Sequence, residues 1–191
     1  MDVTPEIVRA AQQGDPAAME ELIAGSYRAA YTLALRLMGN PDDAAEATQE
    51  AYIRMTRGLK KFREVGAFPT WLFKIVSNVC MTEMRKRNRR DVPTEIESME
   101  DPTPSDAEDE AIGRVFWSEL ERSVLDLPEV YRSVVVLRDV YGMSGEEAGE
   151  VLGISPGAVK VRLHRARKRL RDELVDHFPE WASGDDHKES A

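Results

Sequence analysis

Residues 144–174 read SGEEAGEVLGISPGAVKVRLHRARKRLRDEL, and this stretch decides the fold of the C-terminal half. It reads as a helix, a tight turn and a second, longer helix. Ser144 and Glu147 stand at capping-box spacing, where the hydroxyl accepts one free amide and the carboxylate reaches back to another. Ala148, Val151 and Leu152 supply an apolar stripe. Gly153 ends the helix, at the position where a left-handed residue is least costly. Ser155 can cap the next helix, and Pro156 suits its first turn.

The second helix has two faces. Val159, Leu163, Ala166 and Leu170 recur at helical spacing and face inward. Gly157, Lys160, Val161, His164, Arg165 and Lys168 lie on the other side. From Ser155 to Arg171 there are seven Lys/Arg and no Asp/Glu. A short helix, a glycine turn and a basic second helix describe a helix-turn-helix, whose second helix enters a DNA major groove. The plain alternative is a solvated basic face on a helical hairpin.

The chain of 191 residues has room for one large domain or two small ones, and its net charge of −9 looks wrong for a DNA binder until it is divided. Residues 1–90 carry 14 basic and 11 acidic groups, residues 91–111 carry nine acids and no base, and residues 112–191 carry 12 basic and 15 acidic groups. Screening makes it the local charge that a phosphate feels. The single cysteine, Cys80, allows no intrachain disulfide, fits a reducing cytoplasm and reads as a small core residue. No metal-ligand cluster, phosphate loop, nucleophile elbow or catalytic pairing is found, so no cofactor and no enzyme activity are expected. Neither a signal peptide nor a membrane-spanning run is expected.

Upstream, helices are predicted over about 3–13, 16–38, 41–60 and 69–90, broken at Gly14-Asp15-Pro16 and Gly39-Asn40-Pro41. The second is expected to bury Met19, Leu22, Ile23, Tyr27, Ala30, Tyr31, Ala34, Leu35 and Met38. The third opens acidic and closes basic, which suits the helix dipole. That polarity leaves Gln49 and Glu50, beside Tyr52 and Ile53, without an explanation. The loop from Lys61 to Trp71 crowds aromatics with basic groups, the combination that binds single-stranded nucleic acid. Phe62, Phe68 and Trp71 read either as stacking platforms or as core rings. The loop position favours nucleic acid for Phe62. Residues 91–111, with three prolines and nine acids, read as a linker. Its 21 residues span roughly 25 Å relaxed and about 70 Å drawn out. Beyond it, helices are predicted over 107–126 and from Pro128 to about Tyr141, the latter with Val130, Val134, Leu137 and Tyr141 inward. These join the helix-turn-helix in a second small bundle, and residues 179–191 read as a polar tail.

An all-α chain of two small helical domains, 1–90 and 112–178, is thus expected. It resembles a bacterial RNA polymerase sigma factor of the extracytoplasmic-function group. The resemblance rests on NPDDAAEATQEAYIRMTRGLKKF and AFPTWLFKIVSNVCMTEMRKRNRR in the first half. In the second it rests on LPEVYRSVVVLRDVYGMSGEEAGEVLGISPGAVKVRLHRARKRL. It implies a cytoplasmic protein that binds core RNA polymerase and directs promoter-specific initiation under an anti-sigma factor. Its partners are the largest-subunit clamp helices, the flap and promoter DNA.

The first domain is similar to sigma region 2, and the resemblance assigns Asp42, Asp43, Gln49, Glu50 and Tyr52 to core-polymerase binding. Phe62, Arg63, Phe68, Trp71, Lys74 and Asn78 match positions that open and read the −10 element. The second is similar to region 4. There Lys160, Val161, His164 and Arg165 match −35 base-edge positions, with Ser155, Arg162, Arg167 and Lys168 placed for phosphates. The elements lie more than one DNA turn apart, beyond roughly 34 Å, so the linker is expected to be drawn out. Two departures stand out. Ala47-Thr48 replaces a common leucine-valine pair, which implies a smaller clamp contact. Gly149 replaces the usual alanine, at a cost of roughly 0.5–1 kcal/mol in helix stability. The rival reading is a stand-alone helix-turn-helix regulator with an N-terminal sensing or dimerisation domain.

Overall fold

The computed structural model describes residues 1, 3–63, 67–88 and 108–177. The chain divides into two compact units, Met1–Glu97 and Ser98–Ala191. Among the described residues there are eight helices and no strand.

The N-terminal unit holds α1 (Pro5–Gln12), α2 (Pro16–Met38), α3 (Pro41–Leu59) and α4 (Phe68–Asn88). Each break is built as its residues dictate. Asp15 accepts from the Ala17 and Ala18 amides at 2.9 and 3.3 Å and so starts α2. Gly39, at φ 70°, ends it in the left-handed conformation, and Asn40 caps α3 through the Asp43 amide at 3.0 Å. Helix α2 packs against α1, α3 and α4, and α3 against α4. Leu22, Leu33, Leu37, Met55, Leu59, Phe68, Leu72 and Val76 are fully buried between them.

The C-terminal unit holds α5 (Glu108–Asp126), α6 (Glu129–Val135), α7 (Gly145–Leu152) and α8 (Pro156–His177). Here α6 runs on into a π-helical turn, Val136–Val140, in which the Tyr141 amide bonds Val136. The chain from 132 to 137 is buried without a break. Arg132 is among these residues; its guanidinium takes the Leu125 carbonyl at the end of α5, 2.6 Å away. Both halves of the Ser144–Glu147 capping box form, at 3.1 and 2.9 Å. Gly153 adopts φ 68°.

Several expectations are corrected. Tyr27 faces outward rather than inward, because the buried stripe of α2 runs through Ala18, Leu22, Ser26, Ala30, Leu33 and Leu37. Val130 is also exposed, since α6 turns residues 132–137 inward instead. Ala47 and Thr48 are fully buried, with the Thr48 hydroxyl bonded to the Ala44 carbonyl, so that departure alters packing rather than an outer contact surface. Helix α5 starts at Glu108, within a residue of the start expected from the sequence, so it takes in the last four residues of the acidic segment 91–111. Its remainder, 91–107, and the tail 179–191 lie outside the described residues, as does any test of the linker's extension.

Gly149 is not merely tolerated. A Cβ there meets the Ile154 carbonyl oxygen at 2.7 Å, and the Ile154 amide bonds the Gly149 carbonyl at 3.0 Å, which fixes that turn in place. Alanine at 149 gains up to about 1 kcal/mol of helix propensity. It also forces a displacement of backbone, and overpacking of this kind costs about 1–3 kcal/mol. The clash wins. Gly149→Ala is expected to lower the melting temperature of the full chain followed by circular dichroism, and an unchanged or higher midpoint shows that the turn yields.

Candidate functional site

Helix α8 is oriented by its apolar stripe. Val159, Leu163, Ala166 and Leu170 are buried where α8 packs on α5, α6 and α7. That leaves Gly157, Lys160, Val161, His164, Arg165 and Lys168 exposed together. Val161 is half exposed, an apolar spot amid cations. Lys160, His164, Arg165 and Lys168 make no ion pair among the described residues. The Ser155 hydroxyl accepts from the Ala158 amide at 3.2 Å and caps the helix, with its own hydrogen still available.

The basic residues beside this face differ. Arg162 is partly covered. Arg167 forms a two-pronged bond to Asp139 of the π-helical turn, at 2.6 and 2.9 Å. That bond holds its guanidinium pKa above the usual value. The Arg169 guanidinium stands 5.0 Å above the Tyr131 ring of α6. Sequence reading placed Arg167 among phosphate contacts; its partner lies 28 residues away and leaves no local signal.

In the N-terminal unit, α3 turns Asp42, Glu46, Gln49, Ile53 and part of Glu50 outward. Ile53 is 45% exposed, an apolar residue that the sequence noted without assigning it. Asp43 pairs with Arg87 of α4 at 2.9 Å, and Glu50 with Arg54 at 2.7 Å. These residues border a groove between α3 and α4. Tyr52 is corrected: its ring is buried and its hydroxyl lies 2.8 Å from the Ser26 hydroxyl, so it braces α3 from within. Burial pushes that phenol's pKa up.

The aromatic residues form one cluster. Phe62 stacks on Trp71 at 4.5 Å, and Phe68 meets both rings edgewise or tilted at 6.4 and 6.0 Å. Phe68 is fully buried, which makes it a core ring beneath the other two and corrects its reading as a base contact. Phe62 and Trp71 stay partly open, in a hollow with Gly58, Lys61 and Arg63. Gly58 keeps α3 clear of the Trp71 ring, since a Cβ there meets that ring at 3.1 Å. Gln12 of α1 donates its side-chain amide to the Leu59 and Phe62 carbonyls, at 3.0 and 2.5 Å, and so ties down the start of the loop. Asn78 is exposed one turn beyond Lys74, which is half-buried.

Residues 13–90 match the family described as Sigma-70 region 2, and residues 118–170 match Sigma-70, region 4. The ECF RNA polymerase sigma factor SigE of Mycolicibacterium smegmatis is 37% identical over 178 residues, covering 88% of this chain and 67% of that protein. The chain belongs to the ECF RNA polymerase sigma factors. SigW of Bacillus subtilis is 30% identical over 88% of this sigma factor and 95% of its own length. Among solved structures, CnrH in complex with the cytosolic domain of CnrY has a TM-score of 0.56 at 25% identity, covering 91% of this chain and 97% of that one. The sigma factor RpoE bound to the anti-sigma factor NepR from Bartonella quintana shares the fold, with a TM-score of 0.62 at 23% identity over 81% and 95% of the two chains.

Cys80 is fully buried, and burial pushes its thiol up to about 12. At pH 8 almost none is thiolate, the form that reacts. Native protein is therefore expected to resist maleimide labelling at pH 8 and to label at one site in denaturant. Rapid native labelling contradicts this placement.

Proposed function

We propose that this sigma factor binds core RNA polymerase and directs it to promoters, with its two units dividing the work. The observation that carries this reading is that both sigma regions match in one chain and in order. A stand-alone regulator leaves the region 2 match of residues 13–90 without a role. The C-terminal unit reads the −35 element. Lys160, Val161, His164 and Arg165, exposed on one side of α8, meet base edges, while Ser155, Arg162 and Lys168 sit toward phosphates.

The N-terminal unit docks on the clamp helices through Asp42, Asp43, Gln49 and Glu50, joined by exposed Ile53 and braced by Tyr52. Phe62, Arg63, Trp71, Lys74 and Asn78 open and read the −10 element, with Phe68 supporting the ring pair. Unstacking a base costs a few kcal/mol, and an aromatic surface returns about 1–3 kcal/mol per base. Joining both contacts through the polymerase makes the second one intramolecular and raises its effective concentration. The chain itself performs no catalytic step, works in the cytoplasm and is held in check by an anti-sigma factor. The fold it shares with a sigma factor solved in such a complex supports that last element.

The test adds full-length protein to core polymerase on genomic DNA and maps the transcripts. Specific start sites are expected, and binding to DNA without initiation overturns the reading. Arg165→Ala is expected to weaken recognition of the correct −35 sequence by about 1–3 kcal/mol and to relax selectivity there. Equal weakening on every sequence makes Arg165 a phosphate contact instead. Asn78→Ala is expected to slow strand opening, read by permanganate reactivity, while co-purification with core polymerase stays unchanged.

A further inference from the structure

Seven basic residues on one helix invite the reading that all of them grip DNA, and the geometry points elsewhere for one of them. We infer that Arg167 is a positioning residue, which with Asp139 locks α8 to the π-helical turn and so sets the angle at which Lys160, Val161, His164 and Arg165 meet base edges. This rests on the proposal that α8 faces DNA.

Three observations carry the inference. The Arg167–Asp139 bond is two-pronged, at 2.6 and 2.9 Å, a geometry that fixes orientation as well as distance. Asp139 lies in the π-helical turn Val136–Val140, the one irregular helical stretch among the described residues of this unit. The turn is rooted in the core through buried Val136 and Leu137, so the exposed carboxylate is carried on a hydrogen-bonded helical turn rather than on a loop. Arg169 is engaged on the other flank of the same helix, over Tyr131 of α6. The two arginines brace α8 from both sides, while the residues between them, Lys160, His164, Arg165 and Lys168, make no ion pair among the described residues.

The pair is partly exposed, with Arg167 at 59% and Asp139 at 30% of their side chains, so its worth lies in direction more than in stability. An arginine already matched to a carboxylate also brings no net charge to a phosphate. The DNA-facing charge of α8 is therefore smaller than its basic count suggests.

The experiment uses holoenzyme assembled from core polymerase and full-length chains carrying Asp139→Ala, Arg167→Ala, or the exchange Asp139→Arg with Arg167→Asp. The probes are promoter duplexes recovered from a randomised pool by the unaltered holoenzyme, with a mixed-sequence duplex for comparison. Both single variants are expected to lose about three- to tenfold in selectivity for the promoter duplex, and the exchanged pair to regain most of it. A role in contacting phosphate predicts the opposite sign for Asp139→Ala, which frees the arginine and tightens binding. It also predicts that Arg167→Ala lowers the slope of log affinity against log salt by about 0.9. Either result overturns the inference. Arg165→Ala is run in parallel. If the Asp139 and Arg167 variants leave selectivity and slope untouched while Arg165→Ala does not, the inference alone falls. If Arg165→Ala leaves both untouched as well, α8 does not face DNA, and the proposed function of this unit falls with the inference.

Discussion

Val159, Leu163, Ala166 and Leu170 can leave water together in only one way, with that edge of α8 laid against α5, α6 and α7. Burying a leucine or valine side chain contributes about 1.5–3 kcal/mol. An exposed ion pair contributes about 0–1 kcal/mol. The apolar stripe therefore decides which way the helix rolls, and the arginines adjust what that roll leaves open. The surface presented to a partner is the complement of the core, so a change inside the stripe redirects the outer face.

The N-terminal unit follows the same logic with more polar detail. Its outer acidic face on α3 exists because Ala44, Ala47, Thr48, Ala51, Tyr52 and Met55 occupy the inner one. Small residues let α2 and α4 approach α3 closely, and the two inward polar groups are satisfied: Thr48 by its own helix, Tyr52 by Ser26. Buried hydroxyls left unpaired cost about 1–3 kcal/mol, and the Tyr52–Ser26 bond, which crosses between helices, ties α3 to α2. Gln12 reaches from α1 to the Leu59 carbonyl, which also accepts from the Phe62 amide, and to the Phe62 carbonyl, and so ties Phe62 down beside Trp71.

The two units set different demands on their aromatic and basic residues. In the N-terminal unit, Phe62 and Trp71 remain partly open because Phe68 fills the space beneath them. In the C-terminal unit, the buried stripe of α8 keeps the cations outward, and Gly149 leaves room for the Ile154 backbone to lie close against α7 in the turn.

What the sequence determined by itself was whatever rests on neighbours within a turn or two. The bounds of α2, the breaks at Gly14-Asp15-Pro16 and Gly39-Asn40-Pro41, the Ser144–Glu147 capping box, the left-handed Gly153 and the inward stripe of α8 were all legible there. They depend on hydrogen bonds and periodicity between residues close in the chain. Tertiary structure alone decided that Tyr52 turns in and Tyr27 out, that Phe68 is core, and that Ala47 and Thr48 are buried. It alone joined Arg167 to Asp139 across 28 residues and Gln12 to Leu59 and Phe62 across 47 and 50. A helical period marks a stripe but not its exact centre, and a charge shows nothing of the partner that folding brings to it.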